Sequence, residues 1–246
     1  MRLEGKTAIV TGGASGFGEG IVRRFVEEGA QVMIADLDAA AADALARDIG
    51  ALARTADVSD GASVGGLAAA AEAAFGLPDI LVNNAGITHA PQPLEDIDEA
   101  GFDRVFAVNC KSVYLTARAF VPGMKARGSG VILNMASTAG VSPRPNLSWY
   151  NASKGWMNTA TKTMAVELAS SGIRVNALNP VAGETPLLAS FMGGDTPEMR
   201  AKFLSTIPLG RFSTPRDMGH AAVFLCSDEA AMITGLCMEV DGGRCI

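Results

Sequence analysis

Short apolar segments rich in β-branched residues alternate along the whole chain with Ala-rich segments of helical periodicity. The apolar segments predict seven strands, at Thr7–Val10, Gln31–Ala35, Leu52–Val58, Ile80–Val82, Val131–Met135, Arg174–Leu178 and Met238–Val240. The periodic segments predict helices at Phe17–Glu28, Ala39–Ile49, Ser63–Phe75, Phe102–Arg118, Tyr150–Ala169 and Asp217–Leu225. Strands and helices that alternate in this way build a parallel sheet covered by helices on both faces. No linker, repeat or low-complexity tract interrupts the 246 residues, so we expect one doubly wound α/β domain over residues 1–246.

The first predicted strand runs directly into the glycine-rich sequence TGGASGFG, which opens the first predicted helix. In this setting Gly12 allows a tight turn, Gly16 lets the backbone approach a pyrophosphate, and Gly18 permits close packing of the helix. The amides at the helix N-terminus are then free to bind the anion. A glycine turn without a ligand is the alternative. The strand-to-helix context favours a dinucleotide site.

The second predicted strand ends at Asp36, about twenty residues after the glycine-rich loop, where an acidic side chain meets the adenosine ribose. A carboxylate there accepts hydrogen bonds from the ribose hydroxyls and repels a 2′-phosphate. No Arg or Lys lies in the loop or immediately after Asp36 to bind such a phosphate. The sequence therefore predicts that NAD is preferred over NADP.

Further polar residues follow the carboxyl ends of predicted strands. Asp57 and Val58 are candidates to face the adenine, although Asp57 is equally compatible with a helix-start turn. Asn83 and Asn84 follow the fourth strand, where unbonded amides would be costly, so they either fix a loop against the cofactor or have a structural role. Thr185 is a candidate hydrogen-bond partner for the nicotinamide carboxamide.

Tyr150 and Lys154 are four residues apart in a predicted helix and so lie on the same helical face. A tyrosine has an ordinary pKa near 10, whereas proton catalysis works best when the pKa is close to the working pH. An ammonium about 5 Å away, at an effective dielectric of about 20, lowers the phenol pKa by about two. Ser137, at the end of an apolar segment, could hydrogen-bond the same substrate oxygen. These residues predict a proton-transfer site for a carbonyl or an alcohol.

Asn109 lies inside a predicted helix, where its low helix propensity is unfavourable, so we expect it to have another role there. It could cap or distort the helix while its carbonyl holds a water that reaches Lys154. A satisfied core amide is the alternative.

Composition excludes several classes of function. The net charge of −6, with no basic tract, gives no positively charged stretch that would bind nucleic acid. No apolar run approaches the ~20 residues of a membrane span, and the N-terminus lacks a signal-peptide pattern, so we expect a cytoplasmic protein. The four cysteines show neither a CxxC pair nor a histidine at ligand spacing, and no metal is expected.

Taken together, TGGASGFG, NNAG, Asn109, Ser137, YNASK, the NP that leads to Thr185, and the terminal VDGG resemble the classical short-chain dehydrogenase/reductase family over essentially the whole chain. The resemblance implies a Rossmann-type, three-layer doubly wound sandwich with a seven-stranded parallel sheet, and NAD(P)-dependent oxidoreduction. It implies that Tyr150 is the acid/base and that Lys154 lowers its pKa and binds the nicotinamide ribose. By the same resemblance Ser137 orients the substrate oxygen, Asn109 supports a water-linked proton relay, and the protein is a homotetramer.

The resemblance also implies a set of cofactor-lining residues: Gly12, Ser15, Gly16, Phe17, Gly18, Asp36, Leu37, Asp57, Val58, Asn84, Ala85, Gly86, Tyr150, Lys154, Pro180 and Thr185. One departure is Val181, which stands where the family commonly has Gly and puts the loop path over the nicotinamide in question. The segments GETPLL, FMGGDTPEMR, FLSTIPLGRF and VDGGRCI are similar to bacterial catabolic members of the family, such as 4-formylbenzenesulfonate dehydrogenase-like and glucose 1-dehydrogenase-like enzymes.

The substrate pocket is predicted from residues of mostly apolar character near the catalytic segment: His89, Ala139, Val141, Arg144, Asn146, Leu147, Val181, Leu188, Phe191 and Met192. Arg144 could anchor a carboxylate or sulfonate by a bidentate contact, and a solvated loop arginine is the alternative. The segment near residues 184–207 follows a strand's carboxyl end and is a candidate substrate lid.

These features predict an NAD-dependent alcohol dehydrogenase or carbonyl reductase acting on a secondary alcohol/ketone or an aromatic alcohol/aldehyde. A 3-oxoacyl thioester reductase or a sugar dehydrogenase of the same family is the alternative. A non-catalytic NAD-binding protein is the alternative from another class.

Overall fold

A computed structural model describes residues 1–246 and contains one seven-stranded sheet. All of its strand pairs are parallel, and the strand order is β3-β2-β1-β4-β5-β6-β7. The strands are β1 Thr7–Thr11, β2 Gln31–Asp36, β3 Leu52–Thr55, β4 Ile80–Asn83, β5 Gly130–Met135, β6 Ile173–Pro180 and β7 Cys237–Val240. The predicted doubly wound α/β fold and all seven strands are confirmed.

Nine α-helices flank the sheet or follow its edges: α1 Gly16–Glu27, α2 Ala39–Ile49, α3 Gly61–Phe75, α4 Glu99–Phe106, α5 Ser112–Arg127, α6 Ser148–Leu168, α7 Leu188–Met192, α8 Pro197–Leu204 and α9 Pro215–Cys226. Successive strand residues point to opposite faces, and this alternation divides the core. Ala8 and Val10 pack with α1, α2 and α9, whereas Ile9 packs with α3, α5 and α6. The two apolar layers fix the sheet between helices and hold the carboxyl ends of its strands at one edge.

Two elements differ most from the prediction. The third strand ends at Thr55 rather than Val58, because the Asp57 carboxylate accepts hydrogen bonds from the backbone and hydroxyl of Ser59 and turns the chain toward α3. The helix predicted at Phe102–Arg118 is longer at both ends and is divided by a π-helical turn at Ala107–Lys111. It continues through Pro122 to Arg127.

The segment of residues 184–207, here called the lid segment, leaves the sheet after β6 and contains α7 and α8. Its apolar side chains pack with Val181 and Phe212 rather than with the main core. A short parallel bridge between Gly183 and Ser213 joins the two ends of the excursion. α9 then begins with a capping box, in which the Thr214 and Asp217 side chains each accept a hydrogen bond from the other's backbone amide. None of the helices has the length and apolar character to cross a membrane.

Candidate active site

A cleft of about 450 Å³ opens along the carboxyl ends of the central strands. Fifteen of the sixteen residues predicted to bind the cofactor line it, and Gly18 is the exception. A Cβ at Gly18 would overlap the Gly12 carbonyl oxygen, so this glycine permits helix packing beneath the loop instead. Gly12 and Gly16 have φ of +59° and +56°, a conformation that favours glycine. The bare backbone of this loop and the N-terminus of α1 fit a pyrophosphate.

The Asp36 carboxylate lies in the same cleft and is fixed by two backbone amides. Its Oδ2 accepts a hydrogen bond from the Ala14 amide at 2.9 Å, and its Oδ1 accepts one from the Asp38 amide at 3.1 Å. The carboxylate is therefore held at the end of β2, and its oxygens can accept further hydrogen bonds.

The two adjacent asparagines after β4 have different partners. Asn84 donates from Nδ2 to the carbonyls of Thr11 and Gly12, at 2.9 and 2.8 Å, and so ties its own loop to the glycine-rich loop. Asn83 is buried, donates to Asn134 and accepts from Thr116. Asn84 thus borders the cleft, whereas Asn83 joins two strands and a helix.

Tyr150, Lys154 and Ser137 meet at one end of the cleft, and all three are buried. The Lys154 ammonium lies 5.8 Å from the centroid of the Tyr150 ring and donates to the Met135 carbonyl at 2.8 Å. The Ser137 hydroxyl oxygen accepts the Ala139 amide at 3.1 Å, which leaves its proton available to a substrate oxygen. The Ser137 amide in turn donates to Asn179 at 3.1 Å.

Burial makes the pKa values of Tyr150 and Lys154 differ from those that the sequence predicts. Burial raises the pKa of Tyr150 above its ordinary value, while the Ser137 hydroxyl and the Arg144 guanidinium lower it. Burial also lowers the pKa of Lys154 from 10.5 to about 8. The expectation of a pKa lowered by about two rests on the ammonium alone. In the folded chain the loss of solvation is the largest cause, and the pKa of Tyr150 is raised.

Asn109 is fully buried within the π-helical turn, so the helix is distorted where the sequence suggested. Its Oδ1 accepts the Ile87 amide at 2.9 Å, and its Nδ2 donates to the Ile87 carbonyl at 2.9 Å and to the Ser153 hydroxyl at 3.0 Å. The side chain thereby links the loop after β4 to the helix that carries Tyr150 and Lys154. Its role in a proton relay stays a prediction.

A second, smaller cavity of about 50 Å³ adjoins the cleft beside Ser137 and Tyr150. Among the predicted pocket residues, Val181, Leu188 and Phe191 line it. Ala139 and Leu147 pack against the Tyr150 ring, and Met192, in the lid segment itself, packs with Val181 and Phe212. Val181 has no positive φ, so a Cβ is accommodated where the family commonly has glycine.

Four other predicted pocket residues do not line this cavity either. Val141 is 47% exposed, and Asn146 is exposed at a turn with φ of +64°, a conformation that asparagine tolerates. His89 is buried beside the lid segment, and its Nδ1 lies 2.8 Å from the Ala90 carbonyl. Arg144 is a partly exposed residue of the loop before α6 and contacts the Phe191 and Phe203 rings.

Several residues of the site have no signal in the sequence that would have found them. Ser153 and the Met135 carbonyl connect Asn109 and Lys154 to neighbouring elements. Phe203 and Arg244 reach the region of Arg144 from distant parts of the chain. Only the packing of the lid segment and the chain's C-terminal turn brings them there.

Comparisons with known proteins agree with this geometry. A family model described as enoyl-(acyl carrier protein) reductase matches residues 12–244. The 4-formylbenzenesulfonate dehydrogenase of Comamonas testosteroni is 49% identical over 250 residues, which cover 99% of each chain. The 2-(S)-hydroxypropyl-CoM dehydrogenase 3 of Xanthobacter autotrophicus is 38% identical over 98% of this chain and 97% of its own.

Among solved structures, a 3-ketoacyl-(acyl-carrier-protein) reductase from Brucella melitensis in complex with NADH superimposes with a TM-score of 0.95. It is 52% identical in sequence, and the match covers 99% of this chain and 100% of that one. The seven-stranded parallel sheet, the glycine-rich loop and the Ser-Tyr-Lys arrangement are thus accompanied by similarity over nearly the full length. The chain belongs to the classical short-chain dehydrogenase/reductase family of oxidoreductases.

Proposed function

We propose that the protein catalyses reversible, NAD-dependent hydride transfer between a nicotinamide and a secondary alcohol/ketone or an aromatic alcohol/aldehyde. The observation that carries the proposal is the convergence of Tyr150, Ser137 and Lys154 where the large cleft meets the smaller cavity. A substrate oxygen between the Ser137 and Tyr150 hydroxyls would place its carbon at the end of the cleft. Nicotinamide, when bound, supplies or accepts the hydride.

The chain's own residues position the substrate and control one proton. In the oxidative direction the Tyr150 phenolate takes the proton of the substrate hydroxyl, while Ser137 donates a hydrogen bond to the substrate oxygen. In the reverse direction Tyr150 returns a proton to the developing alkoxide. Burial raises the Tyr150 pKa, so stabilisation of the phenolate by Ser137, Lys154 and Arg144 is needed near neutral pH. The lid segment would cover the substrate and exclude water.

The similar proteins support the substrate class without fixing the substrate. One relative is named for an aromatic aldehyde and another for a secondary alcohol, and these are the two classes proposed. The 52% identical Brucella protein favours a 3-oxoacyl thioester as the second candidate. The test is NADH absorbance with a panel of benzylic and secondary alcohols, sugars and β-hydroxyacyl thioesters, and with the matching carbonyls in reverse. If no compound is turned over while NADH still binds, the alternative of a non-catalytic NAD-binding protein replaces this proposal.

NAD preference is proposed from the fixed carboxylate of Asp36. Replacing that carboxylate by an amide should reduce the preference for NAD over NADP. Asp36→Asn keeps an acceptor for the Ala14 amide but removes the charge that would repel a 2′-phosphate. We expect the ratio of kcat/KM for NADP to that for NAD to rise at least about tenfold, which is about 1.4 kcal/mol. Asp38→Asn, two residues further on, is the matched control and should leave the ratio unchanged. A wild type that prefers NADP would contradict the assignment.

A homotetramer is proposed from an exposed aromatic row on the helices around the π-helical turn. Phe102, Phe106 and Trp156 are 39%, 46% and 38% exposed, and Phe102 also contacts Trp149 edge to face. Apolar rings that line up on a surface mark a contact with another chain. Sedimentation equilibrium at micromolar concentration should give four times the chain mass of 25.3 kDa. Phe106→Glu should shift the protein to smaller species, and a monomeric wild type would refute the proposal.

A further inference from the structure

Arg144 lies between two aromatic rings of the lid segment. Its guanidinium carbon is 4.1 Å from the centroid of Phe191 and 4.3 Å from that of Phe203. Phe191 belongs to α7 and Phe203 to α8, whereas Arg144 belongs to the loop between Ser137 and Tyr150. These cation–π contacts use none of the guanidinium N–H groups as hydrogen-bond donors to an oxygen, so the N–H groups stay available to an oxyanion.

The charge of Arg144 is not neutralised within the chain. The residue takes part in no ion pair, and its guanidinium donates no hydrogen bond to another residue. The charged or titratable groups that act on it are the Arg244 guanidinium and the Tyr150 phenol. Arg200 in the same lid segment is different, because it binds both Glu184 and Asp195. A largely desolvated cation beside a second cation is unfavourable unless an anion is bound there.

Arg144 is connected to the proposed reaction centre through the Phe191 ring. The Phe191 ring that contacts its guanidinium also contacts the Tyr150 ring edge to face, with centroids 5.5 Å apart. Phe191 lines the small cavity together with Ser137 and Tyr150. Arg244 adds positive charge on the same side, where its Nη1 lies 3.4 Å from the Ser142 hydroxyl. Arg144 itself lines a neighbouring groove of about 560 Å³ rather than the small cavity. A substrate whose carbinol carbon meets Tyr150 would reach this positive charge by extending its far end past Phe191.

We propose that Arg144, held between Phe191 and Phe203, binds a carboxylate or sulfonate at the end of the substrate remote from the carbon that exchanges hydride. The proposal rests on the function proposed above and narrows it to alcohols and carbonyl compounds that carry an acidic group. Binding of the anion to Arg144 would also hold the lid segment over the substrate, since both rings belong to that segment. Uncharged substrates of the same shape would lack this contact.

The test compares matched acidic and neutral probes of two shapes. The probes are 4-(hydroxymethyl)benzoate with its carboxamide, and 3-hydroxybutyrate with its amide. Their dissociation constants are measured by calorimetry with NADH-saturated enzyme, and kcat/KM is measured with NAD. For at least one pair, the wild type should bind the acid about 10- to 100-fold more tightly than the amide, as expected for a charge-assisted contact.

Arg144→Met should abolish the preference for the acid and leave the affinity for the amide within about threefold, whereas Arg144→Lys should retain part of the preference. Arg200→Met is the matched control, because that arginine already has carboxylate partners, and it should change both affinities by one factor.

Equal loss of affinity for acid and amide in Arg144→Met would show that the residue only closes the lid segment, and would overturn the proposal. A wild type with no preference in either pair would overturn it as well. Turnover of the amides reports on the proposed function separately. Absence of all turnover with an acid preference that depends on Arg144 would refute the hydride-transfer proposal and leave the anion site standing.

Discussion

Tyr150→Phe should lower turnover by about 10²- to 10⁴-fold, the usual contribution of a general acid or base, while NADH binding changes little. The substitution removes one hydroxyl and keeps the ring that lines the cleft and packs edge to face with Phe191. Binding should therefore survive, whereas no group remains to take or return the proton of the substrate hydroxyl. Initial rates by NADH absorbance and NADH affinity by fluorescence titration measure the two effects separately.

The chain provides its own control, because its only other tyrosine is Tyr114. Tyr114 is 53% exposed on α5, and its hydroxyl accepts a hydrogen bond from Arg118. Tyr114→Phe removes the same atom from the surface and should leave both rate and affinity unchanged. Near wild-type turnover in Tyr150→Phe would rule out this residue as the acid/base. Loss of NADH binding in that variant would mean that the hydroxyl supports the cleft rather than the reaction.

Local patterns were sufficient to predict the fold, and together with the family resemblance they predicted the residues that line the cleft. The seven strands follow from runs of β-branched residues, and the glycine-rich loop from its position between a strand and a helix. In a parallel sheet the carboxyl ends of the strands share one edge, so residues that follow them must meet. Asp36, Asn84 and Thr185 are far apart in sequence and line one cleft for this reason.

The substrate side was less predictable because it depends on packing between distant segments. Nothing local to Phe203 or Arg244 indicates that either approaches Arg144. Val141 and Asn146 are close to Tyr150 in sequence, yet the turn before α6 leaves them at the surface. The pKa of Tyr150 was also only partly predictable. The Tyr150–Lys154 spacing is visible in the sequence, whereas the burial that raises the Tyr150 pKa is not.

Lys154→Met should also lower turnover by about 10²-fold or more, but for a different reason and with a different effect on binding. The ammonium is buried, donates to the Met135 carbonyl and lines the cofactor cleft beside Tyr150. Under the proposed function, its removal takes away a positive charge that favours the phenolate and a contact with the bound cofactor. We therefore expect weaker NADH binding, unlike in Tyr150→Phe. A variant that binds NADH as well as wild type would exclude a cofactor role for Lys154.

The buried ammonium should also make stability depend on pH in a direction opposite to that of a salt-bridged lysine, whose pKa is raised. Burial lowers the pKa of Lys154 to about 8 from an ordinary 10.5, so between these values the unfolded chain binds more protons than the folded one. The free energy of unfolding of the wild type therefore rises with pH across this window. The protonated side chain costs the folded state about 3 kcal/mol below pH 8.

Lys154→Met lacks this term, so its stability relative to wild type should fall by about 2 to 3 kcal/mol from pH 7 to pH 10. Urea denaturation without cofactor, at one protein concentration and at both pH values, measures the difference. Lys162→Met, on the exposed side of the same helix, should show no such change. A constant difference between Lys154→Met and wild type would mean that the folded protein solvates the ammonium, and the same solvent would then reach Tyr150.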